Sequence, residues 1–225
     1  MLASPLDLFR QRLPKVAYAM DRLGPMLLLP KAQAILRRYI QTQPRNVVGA
    51  LPFDIDIEYA AIRWEDVNLP PPNLVVINPE NSHAHYLYLI RDPVFLGEGK
   101  PLTQVAEYMR TVHRAMIFQL KADPSFSGFT VKNPLNEFWP IWSPAKEPYD
   151  LDLLLEYLNP RALKFARRKT KPSEEIGLGR NVSLFNAVRV WAYRSVLYGL
   201  GFQSRWRPRY GWLFITRNRN DQAIM

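Results

Sequence analysis

An α+β architecture is expected for this 225-residue chain. The clearest sign is a hairpin. Residues 73–78 (Asn-Leu-Val-Val-Ile-Asn) form a β-branched run, Pro79-Glu80-Asn81-Ser82 a tight turn, and residues 83–90 the returning strand. A second sign is a long helix candidate over residues 102–122, with Thr103 placed to cap it. The third is the mixture itself: strands joined by hairpins and interspersed with helices, rather than the strict strand–helix alternation of a doubly wound parallel sheet.

Taken in order, residues 6–13 and 31–41 read as short helices, the second with Ala34 and Ile35 on one side and Arg37 and Arg38 on another. Residues 47–57 read as a strand interrupted at Pro52, and 60–67 as a short helical or turn segment before the loop Leu69-Pro70-Pro71-Pro72. Strand alternation in the hairpin puts His83, His85 and Leu87 on one face and Ala84, Tyr86 and Tyr88 on the other. A further strand is expected over 127–133, a helix over 152–158, a basic connector over 161–171 and a long amphipathic helix over 178–200. In that last helix Leu184, Phe185, Val188, Trp191, Ala192 and Val196 recur at helical spacing. There is no internal repeat and no low-complexity tract.

Hydrophobic residues make up 48% of the chain, which is ample for a packed core. The absence of cysteine excludes a disulfide framework, thiolate-bound zinc and a cysteine nucleophile. No apolar run is long enough to span a membrane, and no secretory leader is visible, so a cytoplasmic protein without a membrane partner is expected. The net charge of +10 is unevenly spread. Residues 159–225 hold 14 Lys or Arg against 3 Asp or Glu, leaving 16 basic and 17 acidic residues in 1–158. A near-neutral body, about 1–160, with a basic helical appendage, about 161–225, is the electrostatic layout of a nucleic-acid-binding protein.

The chemistry centres on Phe53-Asp54-Ile55-Asp56-Ile57. On a strand Asp54 and Asp56 share a face, roughly 6.6 Å apart, while Phe53, Ile55 and Ile57 point into a core. Two carboxylates side by side in an apolar setting suit a hard divalent cation that also engages phosphates. His83-Ala84-His85, on the returning hairpin strand, could meet those phosphates or become a ligand.

Five segments in order carry a family resemblance: Phe-Asp-Ile-Asp (53–56), Trp-Glu-Asp-Val-Asn-Leu-Pro-Pro-Pro-Asn-Leu (64–74), Asn-Pro-Glu-Asn-Ser-His-Ala-His-Tyr-Leu-Tyr (78–88), Ala-Asp-Pro-Ser-Phe-Ser-Gly-Phe-Thr-Val-Lys-Asn-Pro-Leu (122–135) and Gly-Arg-Asn-Val-Ser-Leu-Phe-Asn-Ala-Val-Arg-Val-Trp-Ala-Tyr-Arg (179–194). Together they resemble the replicase family of plasmid replication initiators, whose catalytic core is similar to the archaeo-eukaryotic primase superfamily. The resemblance implies a primase-polymerase-like, RRM-like sheet with flanking helices. It also implies primer synthesis from NTP or dNTP with two Mg²⁺ or Mn²⁺ ions, a plasmid origin or single-stranded template as partner, and a host DNA polymerase downstream. Asp54 and Asp56 match the first motif, and His85, with His83 beside it, matches the histidine that contacts the incoming triphosphate. Asp123 is expected as the third acid, ahead of Asp150 and Asp152, which read as helix-start acids. Lys132 is the candidate cation for the triphosphate.

Arg161, Lys164, Arg167, Arg168, Lys169 and Lys171 fall within eleven residues, a density suited to gripping phosphate or to a solvated linker. Arg205, Arg207 and Arg209 interleave with Trp206, Tyr210 and Trp212, as in surfaces that stack unpaired bases. Initiators of this family continue into a C-terminal helix-turn-helix region, so an origin-reading part is expected beyond this piece. Two other readings stand beside priming. One is a His-hydrophobe-His nickase in which Tyr108 attacks DNA, although Thr111 stands where that family has lysine. The other is an initiator that binds DNA without catalysis. His113 reads as a polar helix residue.

Overall fold

The computed structural model describes residues 3–97 and 103–167, all within the first of two units of the chain, Met1–Arg180. The elements are α1 (Pro5–Arg12), β1 (Val16–Met20), β2 (Leu27–Pro30), α2 (Lys31–Ala34), β3 (Tyr39–Gln41) and β4 (Val47–Ile55). A 3₁₀ turn (Ala60–Ile62), α3 (Arg63–Asp66), β5 (Leu74–Ile77) and β6 (Ala84–Phe95) follow. The last are α4 (Gln104–Leu120), β7 (Thr130–Lys132), β8 (Ile141–Trp142), α5 (Leu151–Glu156) and α6 (Pro160–Ala166). The strands form two four-stranded sheets, ordered β2-β1-β3-β7 and β4-β6-β5-β8, with antiparallel ladders throughout.

Alternation along the central strand β6 builds three layers. Tyr86, Tyr88 and Ile90 pack with Phe53 and Ile55 against Met109, Val112 and Met116 of α4 and Ala162 of α6. On the opposite face Leu87, with Leu74, joins Phe9, Ile40 and Val131 between the two sheets. The expected split of the hairpin faces is therefore observed. Thr103 caps α4, accepting from the Ala106 amide, and Lys121 ends it in the left-handed conformation.

Several expectations need correction. The helix expected over 31–41 is only α2, because Tyr39-Ile40-Gln41 is drawn into a ladder between β1 and β7. The hairpin of β1 and β2 was not anticipated. Pro52 does not break β4: the strand lies at the edge of its sheet, where a missing N–H costs no ladder bond. Ile57, expected in the core, is exposed because the strand ends at Ile55. Part of the basic connector is helix α6, which packs on α4, with Phe165 stacked on Phe118 at 4.7 Å. The helix expected over 178–200 lies outside the described residues, as do Arg168, Lys169, Lys171, Arg205, Arg207 and Arg209. Among the described residues no helix is long and apolar enough to cross a membrane.

Candidate active site

The site forms where the end of β4 meets the start of β6. Asp54 lies directly opposite His85 in the ladder. Phe53 and Ile55 point toward the helices, so Asp54 and His85 face the other sheet. Asp54 is largely buried, its side chain 18% exposed, whereas Asp56, just past the strand end, is 56% exposed. Asp56 Oδ1 lies 3.1 Å from Nδ1 of His83.

The third carboxylate arrives by a wrap around an edge. After α4 the chain passes alongside β4, and the Asp123 amide donates to the Asp54 carbonyl at 2.9 Å. Its carboxylate accepts from the Ser125 amide at 2.8 Å and from the Ser125 hydroxyl on both oxygens. Gly128 then crosses against Pro52 in the left-handed region (φ +65°), where a Cβ would lie 2.5 Å from Pro52 Cγ. The strand β7 follows and delivers Lys132.

One ligand oxygen from each of Asp54, Asp56 and Asp123 lies within 4.8 Å of the others. Asp150 and Asp152 are elsewhere: Asp150 accepts from Arg91 Nε at 3.0 Å, and Asp152 from the Tyr108 hydroxyl at 2.6 Å. Asp54 Oδ1 is buried, with His85 Nε2 at 3.1 Å and Lys132 Nζ at 3.8 Å. Neither contact is aligned as a hydrogen bond, so Oδ1 is an orphaned buried acceptor. Oxygen donors with such an orphan among them fit a hard divalent cation.

Burial pushes the Asp54 carboxyl up, but His85 and Lys132 outweigh it and hold it below the usual carboxylate value. Burial lowers both His85 and Lys132 against the pull of Asp54. Lys132 is thus a buried ammonium beside the carboxylates rather than a lysine at a solvated strand end. One nitrogen of the His85 ring is bonded: Nδ1 accepts the Lys132 backbone N–H at 3.0 Å, while Nε2 lies 3.1 Å from Asp54 Oδ1 without hydrogen-bond geometry. His113 on α4 is half-buried, bonded to the Pro52 carbonyl and edge-on to Phe53, so it braces β4.

Of the expected phosphate-gripping residues, Arg161, Lys164 and Arg167 are described. They are exposed on and just after α6. Sequence reasoning missed Ser125, whose position two residues after Asp123 is the signature of an Asx-type turn. It also missed the link from Lys132 N–H to His85, for which no local signal exists. An apolar cavity of about 210 Å³ lies apart from the carboxylates, lined by residues including Phe9, Arg12, Thr42, Val47 and Leu89.

Residues 12–158 match the family model described as the Replicase family. The chain belongs to the Replicase family. Among solved structures, this Replicase-family chain is similar to the AEP domain of the cyanophage S-2L primase-polymerase. The TM-score is 0.50 and the identity 15%, over 68% of this chain and 94% of that one. It also matches the catalytic domain of primase RepB′ in complex with initiator DNA, with a TM-score of 0.42 and 13% identity, over 75% of this chain and 100% of that one. No curated protein gives a significant match. The fold is that of a primase-polymerase core.

Proposed function

We propose that this protein is a plasmid replication initiator that synthesises a short primer on an unwound template by two-metal nucleotidyl transfer. The observation that carries the reading is the trio Asp54, Asp56 and Asp123, with its buried orphan oxygen. Asp54, Asp56 and Asp123 would hold Mg²⁺ or Mn²⁺. Ions bound there would supply charge neutralisation at the attacking 3′-hydroxyl and the leaving pyrophosphate. Lys132, a point charge in a water-poor setting, would meet the triphosphate, where a cation is worth more than in water. His83, tied to Asp56 at the exposed side, is placed to touch the nucleotide as well. His85, the residue that matches the family's triphosphate contact, would steady the triphosphate beside Asp54. The body, about 1–160, would carry the chemistry. The basic residues of about 161–225 would hold the template strand in the cytoplasm, and a host polymerase would extend the primer.

A nicking reaction is disfavoured by Tyr108. Its hydroxyl is bonded to Asp152, and burial together with that carboxylate pushes it up to about 12, the wrong direction for a nucleophile. His83 Nδ1 is held by Asp56 and His85 Nδ1 accepts the Lys132 N–H, so the two rings are tied to different partners rather than turned toward one shared metal. A binding-only initiator would have no need of a buried orphan carboxylate oxygen.

The test is primer synthesis from labelled nucleotides on single-stranded or origin DNA, with Mg²⁺ or Mn²⁺. Wild type and Tyr108→Phe should make labelled oligonucleotide, and Asp56→Ala should make none. Cleaved DNA with a covalent adduct that requires Tyr108 would overturn the reading in favour of nicking.

A further inference from the structure

We infer that Arg38, stacked on Phe138 at the rim of the carboxylate site, is a phosphate-binding contact for the single-stranded template. The inference rests on the template-directed priming proposed above and adds to it a contact outside the basic residues of 161–225.

Two arginines near this rim are already neutralised. Arg22 Nη1 pairs with Glu80 Oε1 at 2.6 Å, and Arg37 Nη1 with Asp21 Oδ2 at 2.7 Å. Arg38 forms no ion pair among the described residues, and its only side-chain contact of this kind is with a ring. Asp21, the acid that touches this segment, has both oxygens in use: Oδ2 takes the Arg37 guanidinium, and Oδ1 the Arg38 backbone N–H at 3.1 Å. Arg38 is nonetheless held firmly. Its carbonyl accepts from the Asn133 amide at 2.8 Å and from Trp139 Nε1 at 2.6 Å, and its guanidinium carbon stands 3.7 Å from the centre of the Phe138 ring. Phe138 is itself set edge-on to the buried Trp139, with 4.7 Å between centroids. A half-buried cation fixed by backbone and ring contacts, with no counter-charge paired to it, is organised in advance for an anion from outside.

Its place relative to the carboxylates follows from the ladder. Tyr39, the next residue, lies directly opposite Lys132 between β3 and β7, so those two side chains share a face. Lys132 Nζ is 3.8 Å from Asp54 Oδ1. Burial pushes the Tyr39 hydroxyl up, Arg22 and Arg38 pull it down, and Asp54 and Glu80 push it up again, so one hydroxyl senses both the arginine and the carboxylate. Arg38 therefore sits one residue beyond the rung that carries Lys132. Lys132 and the carboxylates account for the incoming triphosphate, which leaves Arg38 for a phosphate of the strand. The guanidinium offers N–H donors at its edge and a flat face away from Phe138, which suit a backbone phosphate and an adjoining unpaired base.

The experiment titrates the full 225-residue chain into a fluorescein-labelled single-stranded deoxyoligonucleotide, following anisotropy across a KCl series, with primer synthesis and nucleotide KM measured alongside. Wild type, Arg38→Met, Arg38→Lys and Phe138→Leu are compared. Arg38→Met should weaken strand binding by about three- to tenfold and lower the salt slope by about 0.7, the share of one phosphate on a single strand, with nucleotide KM within about twofold of wild type. Arg38→Lys keeps the charge and should keep the slope while losing affinity. Phe138→Leu frees the guanidinium and should weaken binding by about two- to threefold at an unchanged slope. Strand affinity and slope unchanged in Arg38→Met would overturn the inference, and a rise in nucleotide KM in that same variant would assign the arginine to the nucleotide instead. Should Arg38→Met fail to fold, Arg38→Gln carries the same expectation and the same refutation. Wild type that binds the strand with this dependence on Arg38 yet makes no primer would overturn the priming reading and leave the contact standing. Wild type that does not bind the strand would overturn both.

Discussion

Replacing Asp56 by Asn should make the metal-free protein more stable and the metal-loaded protein less stable than wild type. The ligand oxygens of Asp54, Asp56 and Asp123 lie within 4.8 Å of one another, so each pair of charges repels by about 0.9 kcal/mol in water-like surroundings and about 3.5 kcal/mol at an effective dielectric of about 20. The Asp56 side chain is 56% exposed, so the lower figure governs, and its two neighbours together cost about 2 kcal/mol. Weakening its contact with His83 returns about 0.5–1 kcal/mol of that. The net gain is about 1 kcal/mol, or about 2–4 °C in Tm for a chain of this size. Mn²⁺ at a hundred times its Kd should stabilise wild type by about 2.7 kcal/mol and the variant by little, reversing the order. Thermal unfolding in chelator and across a Mn²⁺ series measures both effects. A variant that melts below wild type in chelator, and rises equally with Mn²⁺, would refute the idea that these carboxylates form a cation site.

Three further outcomes are expected. Gly128→Ala must hold a Cβ in the left-handed region and 2.5 Å from Pro52 Cγ; strain and overpacking should together cost about 2–4 kcal/mol in urea unfolding, and an unchanged midpoint would show that the crossing is not tight. Tyr108→Phe loses one hydrogen bond to the half-exposed surface at Asp152, so stability should fall by no more than about 1.5 kcal/mol with primer synthesis intact; loss of all activity in a folded variant would contradict that placement. Asp54 titrates below its unfolded value of 3.8, so the unfolded state binds the proton more readily. Its contribution to stability is then complete above 3.8 and lost as pH falls through the lower folded value. Asp54→Asn should flatten the acid limb of the urea-unfolding profile there, and coincident limbs would mean that His85 and Lys132 do not favour its charge.

The parts of the fold that the sequence made legible are those with strong local periodicity. Helix α4 has an amphipathic repeat and a threonine cap, and the β5–β6 hairpin has a β-branched run before an Asn- and Pro-containing turn and an aromatic-rich strand after it. The β1–β2 hairpin lacked such a signal because Leu27 and Leu28 are both exposed, so no alternation separates an inner from an outer face. Residues 39–41 read as the end of the helix that starts at Lys31, but Tyr39 and Ile40 suit a strand, and the slot between β1 and β7 buries Ile40 completely. In the site, Asp54 and Asp56 were readable from their spacing, whereas Asp123 rested on a resemblance. The contact of Lys132 N–H with His85 joins residues 47 apart through a backbone atom, which no side-chain pattern records.

That contact also bears on why the site is built across two sheets. The first sheet contributes Lys132, the second contributes Asp54, Asp56, His83 and His85, and the segment wrapping the β4 edge contributes Asp123. A small slide between the sheets would change the separation of the Lys132 ammonium from Asp54, and Coulomb energy at 3.8 Å is steep in distance when water is scarce. Apolar packing of Leu74 and Leu87 on Ile40 and Val131 holds the sheets together but is non-directional. Register at the site is instead fixed by three directional ties: Lys132 N–H on His85, the Asp123 amide on the Asp54 carbonyl, and Gly128 seated on Pro52. Two of the three use the outward edge of β4. Pro52 suits an edge that has no ladder partner among the described residues, so that the chain leaving α4 closes against it and brings its carboxylate alongside Asp54.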